Sequence, residues 1–196
     1  MRLITVYNLK AFMEKVDSQH DRMLEIIIEG VSDVIQNHLN RYLTKAEYTH
    51  YFEADGVRNK FYLPAYPIDL TEDFTVTVND EEQTINDDYF VRENDGLITF
   101  YSPPLYTEPK GVQVVWTGGY ELIDDSSDES GTLDVPDTIR LATYMQCSYM
   151  YKRRNDIGLF YFTLPNGRLR KDPKPRKLLP EVTAMLLNYR RTAEAY

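Results

Sequence analysis

The residues that could do chemistry are few and poorly spaced for it. His20, His38 and His50 lie far apart and form no HExxH-type ligand pair for zinc. Cys147 is the single cysteine, with no Cys-x-x-Cys partner and no neighbouring His, and it reads as a small residue packed in a helix. The stretch Asp124-Asp125-Ser126-Ser127-Asp128-Glu129-Ser130-Gly131 gathers carboxylates that would suit Ca²⁺. It lacks the alternating ligand positions and the closing Glu of an EF-hand loop, so a solvated surface loop is the expected form. Glycoside hydrolysis would need a selected carboxylate pair, and sugar stacking a selected platform among Trp116 and the sixteen tyrosines. Nothing selects either, and Tyr-rich cores and protein interfaces account for the same composition. No G-x-G-x-x-G, Walker or G-x-S-x-G motif occurs. The expectation is a chain with no catalytic residue, no metal and no cofactor.

One pattern does point somewhere. A basic, proline-broken tether carries Arg168, Arg170, Lys171, Lys174, Arg176 and Lys177. A short helix is predicted after it, from Leu179-Pro180 to Arg190-Arg191, with Pro180 at a first helical position where its missing N–H costs nothing. Val182, Met185, Leu186 and Tyr189 fall at i, i+3, i+4 and i+7, one apolar stripe. Arg190 and Arg191 complement the negative end of the helix dipole. A helix this short is marginal alone in water and needs a surface to pack on, which is the chemistry of docking rather than catalysis.

The elements that must carry this pattern fall into three zones. Over residues 8–42 the period is helical: a short helix through Leu9–Met13, then a longer one capped by Asp17 or Ser18 with Leu24, Ile27, Ile28, Val31, Ile35, Leu39 and Tyr42 on its stripe. Over about 47–118 the period changes to two. Tyr48–Glu53 and Lys60–Leu63 flank an Asp55-Gly56 turn signal, Phe74–Val78 alternates, and Asn79–Glu82 turns it toward Gln83–Ile85. Tyr89–Arg92 and Leu97–Tyr101 flank Asn94-Asp95-Gly96, and Val112–Trp116 closes an expected antiparallel β-meander. In the third zone Val135-Pro136-Asp137 starts a helix reaching Arg154, with Leu141, Tyr144, Met145, Ser148 and Tyr151 as its stripe. An extended piece at Phe160–Phe162 precedes the tether. The predicted fold class is α+β: an N-terminal helix pair, a central antiparallel β-meander, a long helix after it, and a C-terminal docking helix on an extended tether. Residues 1–163 are the expected body (helices 8–42 and 137–154, β-rich insertion about 47–118), and 164–196 the basic tether and docking helix.

Bulk numbers agree with an assembly component. At 196 residues and 23.0 kDa the chain is one domain, or one with an appendage. No apolar run approaches the about eighteen residues of a membrane span, so no membrane partner is expected. The start, Met1-Arg2-Leu3-Ile4-Thr5, lacks a signal peptide's apolar region, which points to a protein retained in the cytoplasm where it is made. The net charge of −9 is unevenly divided: residues 152–196 hold eleven Lys/Arg and four Asp/Glu, hence +7, leaving −16 on the rest. An acidic body argues against sequence-independent DNA binding over most of its surface.

The order of the zones resembles the head–tail connector (adaptor) proteins of tailed bacteriophages. Four stretches carry the resemblance: Ile35-Gln36-Asn37-His38-Leu39-Asn40-Arg41, the polar-Leu-polar-Arg close of a helix; Val114-Val115-Trp116-Thr117-Gly118-Gly119-Tyr120, a strand entering a Gly-Tyr turn; Val135-Pro136-Asp137-Thr138-Ile139-Arg140-Leu141-Ala142 with Lys152-Arg153-Arg154 downstream, a Val-Pro helix with a basic end; and Leu179-Pro180 through Tyr189-Arg190-Arg191. The strand zone is larger than in the small, mainly helical adaptors, and loop 124–131 is an insertion. The resemblance implies a structural protein of the virion neck, made in the host cytoplasm. It would have no active site and would form a closed ring of about twelve copies. The ring would join the portal protein to the next neck or tail component and let genomic DNA pass. The docking residues it implies are those of the tether and helix: Arg168, Arg170, Lys171, Lys174, Arg176, Lys177, Val182, Met185, Leu186, Tyr189, Arg190 and Arg191. The alternatives are a stopper or tail-completion protein, a nucleic-acid-binding module using the basic tether, and a virion enzyme or carbohydrate-binding domain.

Overall fold

A computed structural model describes residues 2–14, 17–104, 111–122, 134–154 and 178–191 in full, and 161–163 and 169–171 by backbone alone. The chain is α+β, and its contacts divide it into a helical unit (1–39 and 122–190) and a β-rich unit (40–121 and 191–196).

In the helical unit, α1 (Val6–Phe12) starts at Thr5, whose hydroxyl accepts a bond from the Asn8 N–H at 3.1 Å. The second helix, α2 (Asp21–Leu39), buries Leu24, Ile28, Val31, Ile35 and Leu39 along a 3.6-residue period, as predicted. It stops at Leu39 because Asn40 takes a left-handed φ of 53°, so Tyr42 lies beyond the helix and is exposed rather than on its stripe. The third, α3 (Asp137–Lys152), departs further from expectation. Its buried residues include Ile139, Ala142, Thr143, Gln146, Cys147 and Tyr151, whereas Leu141, expected inside, is 42% exposed. Polar side chains account for the shift. The Thr143 hydroxyl returns its hydrogen bond to the Ile139 carbonyl at 2.8 Å, and Gln146 has a partner inside the unit, so both can be buried.

In the β-rich unit the strands are β1 (Ala46–Phe52), β2 (Lys60–Tyr62), β3 (Thr75–Val78), β4 (Glu81–Glu82), β5 (Tyr89–Arg92), β6 (Leu97–Phe100) and β7 (Val112–Gly118). All described pairings between them are antiparallel, but the order is not that of a meander. One sheet runs β1-β7-β3-β4 and the other β2-β6-β5. The expected hairpin at Asp55-Gly56 is absent: β1 pairs with β7 along all its residues, from Ala46↔Gly118 to Phe52↔Val112, while β2 pairs with β6. Asp55 instead accepts from the N–H groups of Val57 and Arg58 in a wider loop. The turn after β3 is also tighter than expected. Asn79 and Asp80 both have left-handed φ, which matches strand twist, so Glu81 is already in the return strand.

The central strand β7 alternates, with Val112, Val114 and Trp116 fully buried, and the Trp116 indole N–H donates to the Ala65 carbonyl at 2.9 Å. Around them Phe61, Tyr89, Ile98 and Phe100 complete an aromatic-rich core. The two ends of the segment run side by side: the Tyr120 N–H donates to the Leu43 carbonyl at 2.7 Å and the Lys45 N–H to the Tyr120 carbonyl at 2.8 Å. Lys45 Nζ lies 2.8 Å from Asp69, and that bond, followed by two that Thr71 donates, lowers the Asp69 pKa to about 2. Gly119 has φ 106°, and a Cβ there would sit 2.4 Å from the Thr44 carbonyl oxygen, so the crossing requires glycine.

Candidate functional site

The C-terminal helix α4 (Pro180–Leu186) begins at Pro180 as predicted and continues into a 3-10 turn over Leu187–Tyr189. It packs on α3. Val182 and Leu186 have no exposed surface, and Leu178 just before the helix is buried too. The entry to α4 is pinned by Gln146, whose Oε1 accepts the Leu179 N–H at 3.0 Å. Burial pushes the neighbouring Cys147 thiol up to about 12, so it stays protonated and structural. The predicted stripe is thus split. Val182 and Leu186 are occupied by α3, Met185 and Tyr189 are half-buried, and Leu187, not singled out from the sequence, is exposed.

The predicted cations are dispersed. Arg190 is exposed, and its charge adds to burial in holding the His38 imidazole below its ordinary value. His38 Nε2 finds no partner among the described residues. Arg191 donates to the Tyr62 carbonyl at 2.7 Å within the β-rich unit. Arg170 and Lys171 lie on the short strand β9 (Leu169–Lys171), paired antiparallel with β8 (Tyr161–Thr163), so part of the tether is a two-stranded ribbon. Arg168, Lys174, Arg176 and Lys177 lie outside the described residues, as does loop 124–131.

Arg41 ends the Ile35–Arg41 stretch of the sequence. It is 4% exposed, donates through Nη2 to the Tyr66 carbonyl, and stacks its guanidinium 3.3 Å from the centre of the Tyr66 ring. The Tyr120 ring lies 5.4 Å away. Two of the sequence stretches, Leu39-Asn40-Arg41 and Gly118-Gly119-Tyr120, therefore meet through one cation. The sequence shows an Arg after the helix close but neither its burial nor its partners, which come from residues far along the chain.

Charge follows the fold. Residues 40–121 hold 15 acidic and 6 basic side chains, so −9, while the other 114 residues balance at 16 of each sign. Asp80, Glu81, Glu82, Asp87 and Asp88 form an exposed acidic run around β4. No group of three or more His, Cys, Asp or Glu among the described residues could hold a metal ion.

These elements describe a packed helical unit with a short terminal helix anchored on a longer one, and an acidic β-rich insertion. The chain belongs to the head completion protein family, which matches residues 2–192. No curated protein matches it. Among solved structures it is similar to a chain in the neck of an empty gene transfer agent (GTA) particle computed with C6 symmetry, at 15% identity and TM-score 0.57, over 98% of this chain and 93% of that one. It is also similar to a chain in the virion of a native GTA particle, at 15% identity and TM-score 0.51, over 92% and 83%. These likenesses show a shared fold.

Proposed function

We propose that this protein is a structural component of the virion neck. It forms a ring that joins the portal of a phage head to the next neck or tail component and lets genomic DNA pass. Membership of the head completion family over nearly the whole chain carries this reading. The fold shared with a protein from a neck computed with C6 symmetry is consistent with it. The acidic segment 40–121 suits a surface past which DNA slides, because carboxylates repel phosphates.

Portal docking falls to the C-terminal region. The cations Arg168, Arg170, Lys171, Lys174, Arg176, Lys177, Arg190 and Arg191 supply charge, and Met185, Tyr189 and Leu187 supply apolar contact. Val182 and Leu186 hold α4 on α3 and so fix the helix that presents the others. Each contact is modest, and a ring multiplies it through multivalency.

The test is to mix the purified chain with portal rings and weigh what forms by native mass spectrometry. A symmetric complex with one chain per portal subunit is expected. No complex, together with DNA binding that falls steeply with salt, would move the function to a nucleic-acid-binding module.

A further inference from the structure

On its outward, otherwise polar face α2 carries a small apolar patch that no described residue covers. Opposite its core stripe, Met23 is 39% and Ile26 58% exposed, and one turn further on sits Gly30. A Cβ at Gly30 would meet nothing within 4 Å, and its φ is not left-handed. Among the described residues neither packing nor backbone geometry calls for glycine there, yet glycine in a helix interior is less favourable than alanine. A second helix backbone passing close by would require it.

α3 offers the complement. Leu141, Met145 and Tyr149, at i, i+4 and i+8, form a stripe turned away from its buried face, with Leu141 and Tyr149 exposed and Met145 half-buried. The flanking charges match in order. On α2, Arg22 precedes the apolar patch and Asp33 follows it, about 17 Å apart at the helical rise. On α3, Asp137 precedes the stripe and Lys152 follows it, about 22 Å apart. Laid parallel with Gly30 beside Met145, the helices set Arg22 level with Asp137 and leave Lys152 about one turn beyond Asp33, an offset its long side chain can span. Arg22 now pairs with Glu25 at 3.0 Å and Asp137 with Arg140, both one turn apart at the surface, where such pairs contribute little and are readily exchanged.

We propose that the outer face of α2 in one copy packs against the outer stripe of α3 in the next, with Gly30 admitting the neighbouring helix across Met145. The two faces differ, so the contact is head-to-tail and propagates around a ring. This rests on the ring reading above and names the surface that closes it.

Gly30→Leu separates assembly from folding. Leucine is the better helix former and has open space in the single chain, so the variant should melt at or above the temperature of the unaltered protein. Its self-dissociation constant, from sedimentation with and without portal rings, should rise about tenfold or more because the side chain blocks the approach. Independently, mixing Ile26→Cys with Leu141→Cys chains, the pair that faces one another when Gly30 lies across Met145, should give an intermolecular disulfide, against a background in which the only native cysteine is buried. If Gly30→Leu rings form as readily as native ones and no such disulfide appears, this face is wrong and the ring reading stands. A native chain that stays monomeric both alone and on portal rings would overturn both.

Discussion

Gln146 shows how much one polar side chain can organise. It is 3% exposed and satisfies the Leu179 N–H at the start of α4, so truncation leaves that donor without its partner. Gln146→Ala is expected to destabilise the protein by about 1–3 kcal/mol, read as a lower denaturant midpoint. Arg41 is a second such residue. Lysine cannot stack flat on Tyr66 while donating to its carbonyl, so Arg41→Lys should cost about 1–2 kcal/mol despite keeping the charge, as a melt would show. His38 and His50 bear on pH. Desolvation first, then Arg190 for the half-buried His38 and Arg191 for His50, whose own surface is exposed, holds each imidazole below the ordinary 6.5. The unfolded chain therefore takes up protons before the folded one. Stability should fall as pH drops through 6.5 and level off once the folded imidazoles protonate too. Replacing both by Gln should flatten the melting temperature over that range; an unchanged slope would remove them as its source. None of this was legible in the sequence, because a latch or a neutral imidazole depends on residues far apart along the chain.

At the scale of elements, the single-face pattern of α2 was legible and α3's was not. The buried face of α2 is apolar but for Ser32, whose hydroxyl accepts the Leu3 N–H, so period alone finds the stripe. α3 packs against α1, α2 and α4, so its buried arc is wide and admits Thr143, Gln146 and Ser148, while Leu141 is left outside. Strand positions could be read from alternation and turn residues. Their order could not, because alternation says which residues face inward but not which strand lies alongside. Helix α4 is as predicted in place and in its proline start, and its packing sets an expectation of its own. Leu186→Ala should destabilise by about 2–5 kcal/mol, measured by denaturant unfolding, since Leu186 has no exposed surface.

For the whole molecule, the segregation of charge was only half visible. The basic C-terminal region stood out in the sequence, but the β-rich segment proved to hold the entire net charge only once the fold marked its limits at 40 and 121. If that charge keeps DNA from adhering, replacing Asp80, Glu81, Glu82, Asp87 and Asp88 with their amides should raise DNA retention by the protein in a filter-binding assay at low salt. Unchanged retention would remove these residues from the account of DNA passage.

The side-by-side course of residues 43–45 and 120 has a consequence for descent. A segment that leaves the chain and returns at one point can be removed or exchanged without rethreading what remains. A single genetic deletion or recombination event could therefore swap the β-rich unit between lineages while the helices kept their order. Relatives built this way would differ chiefly in the size and charge of one inserted module, and a tally of their lengths would cluster in steps rather than drift.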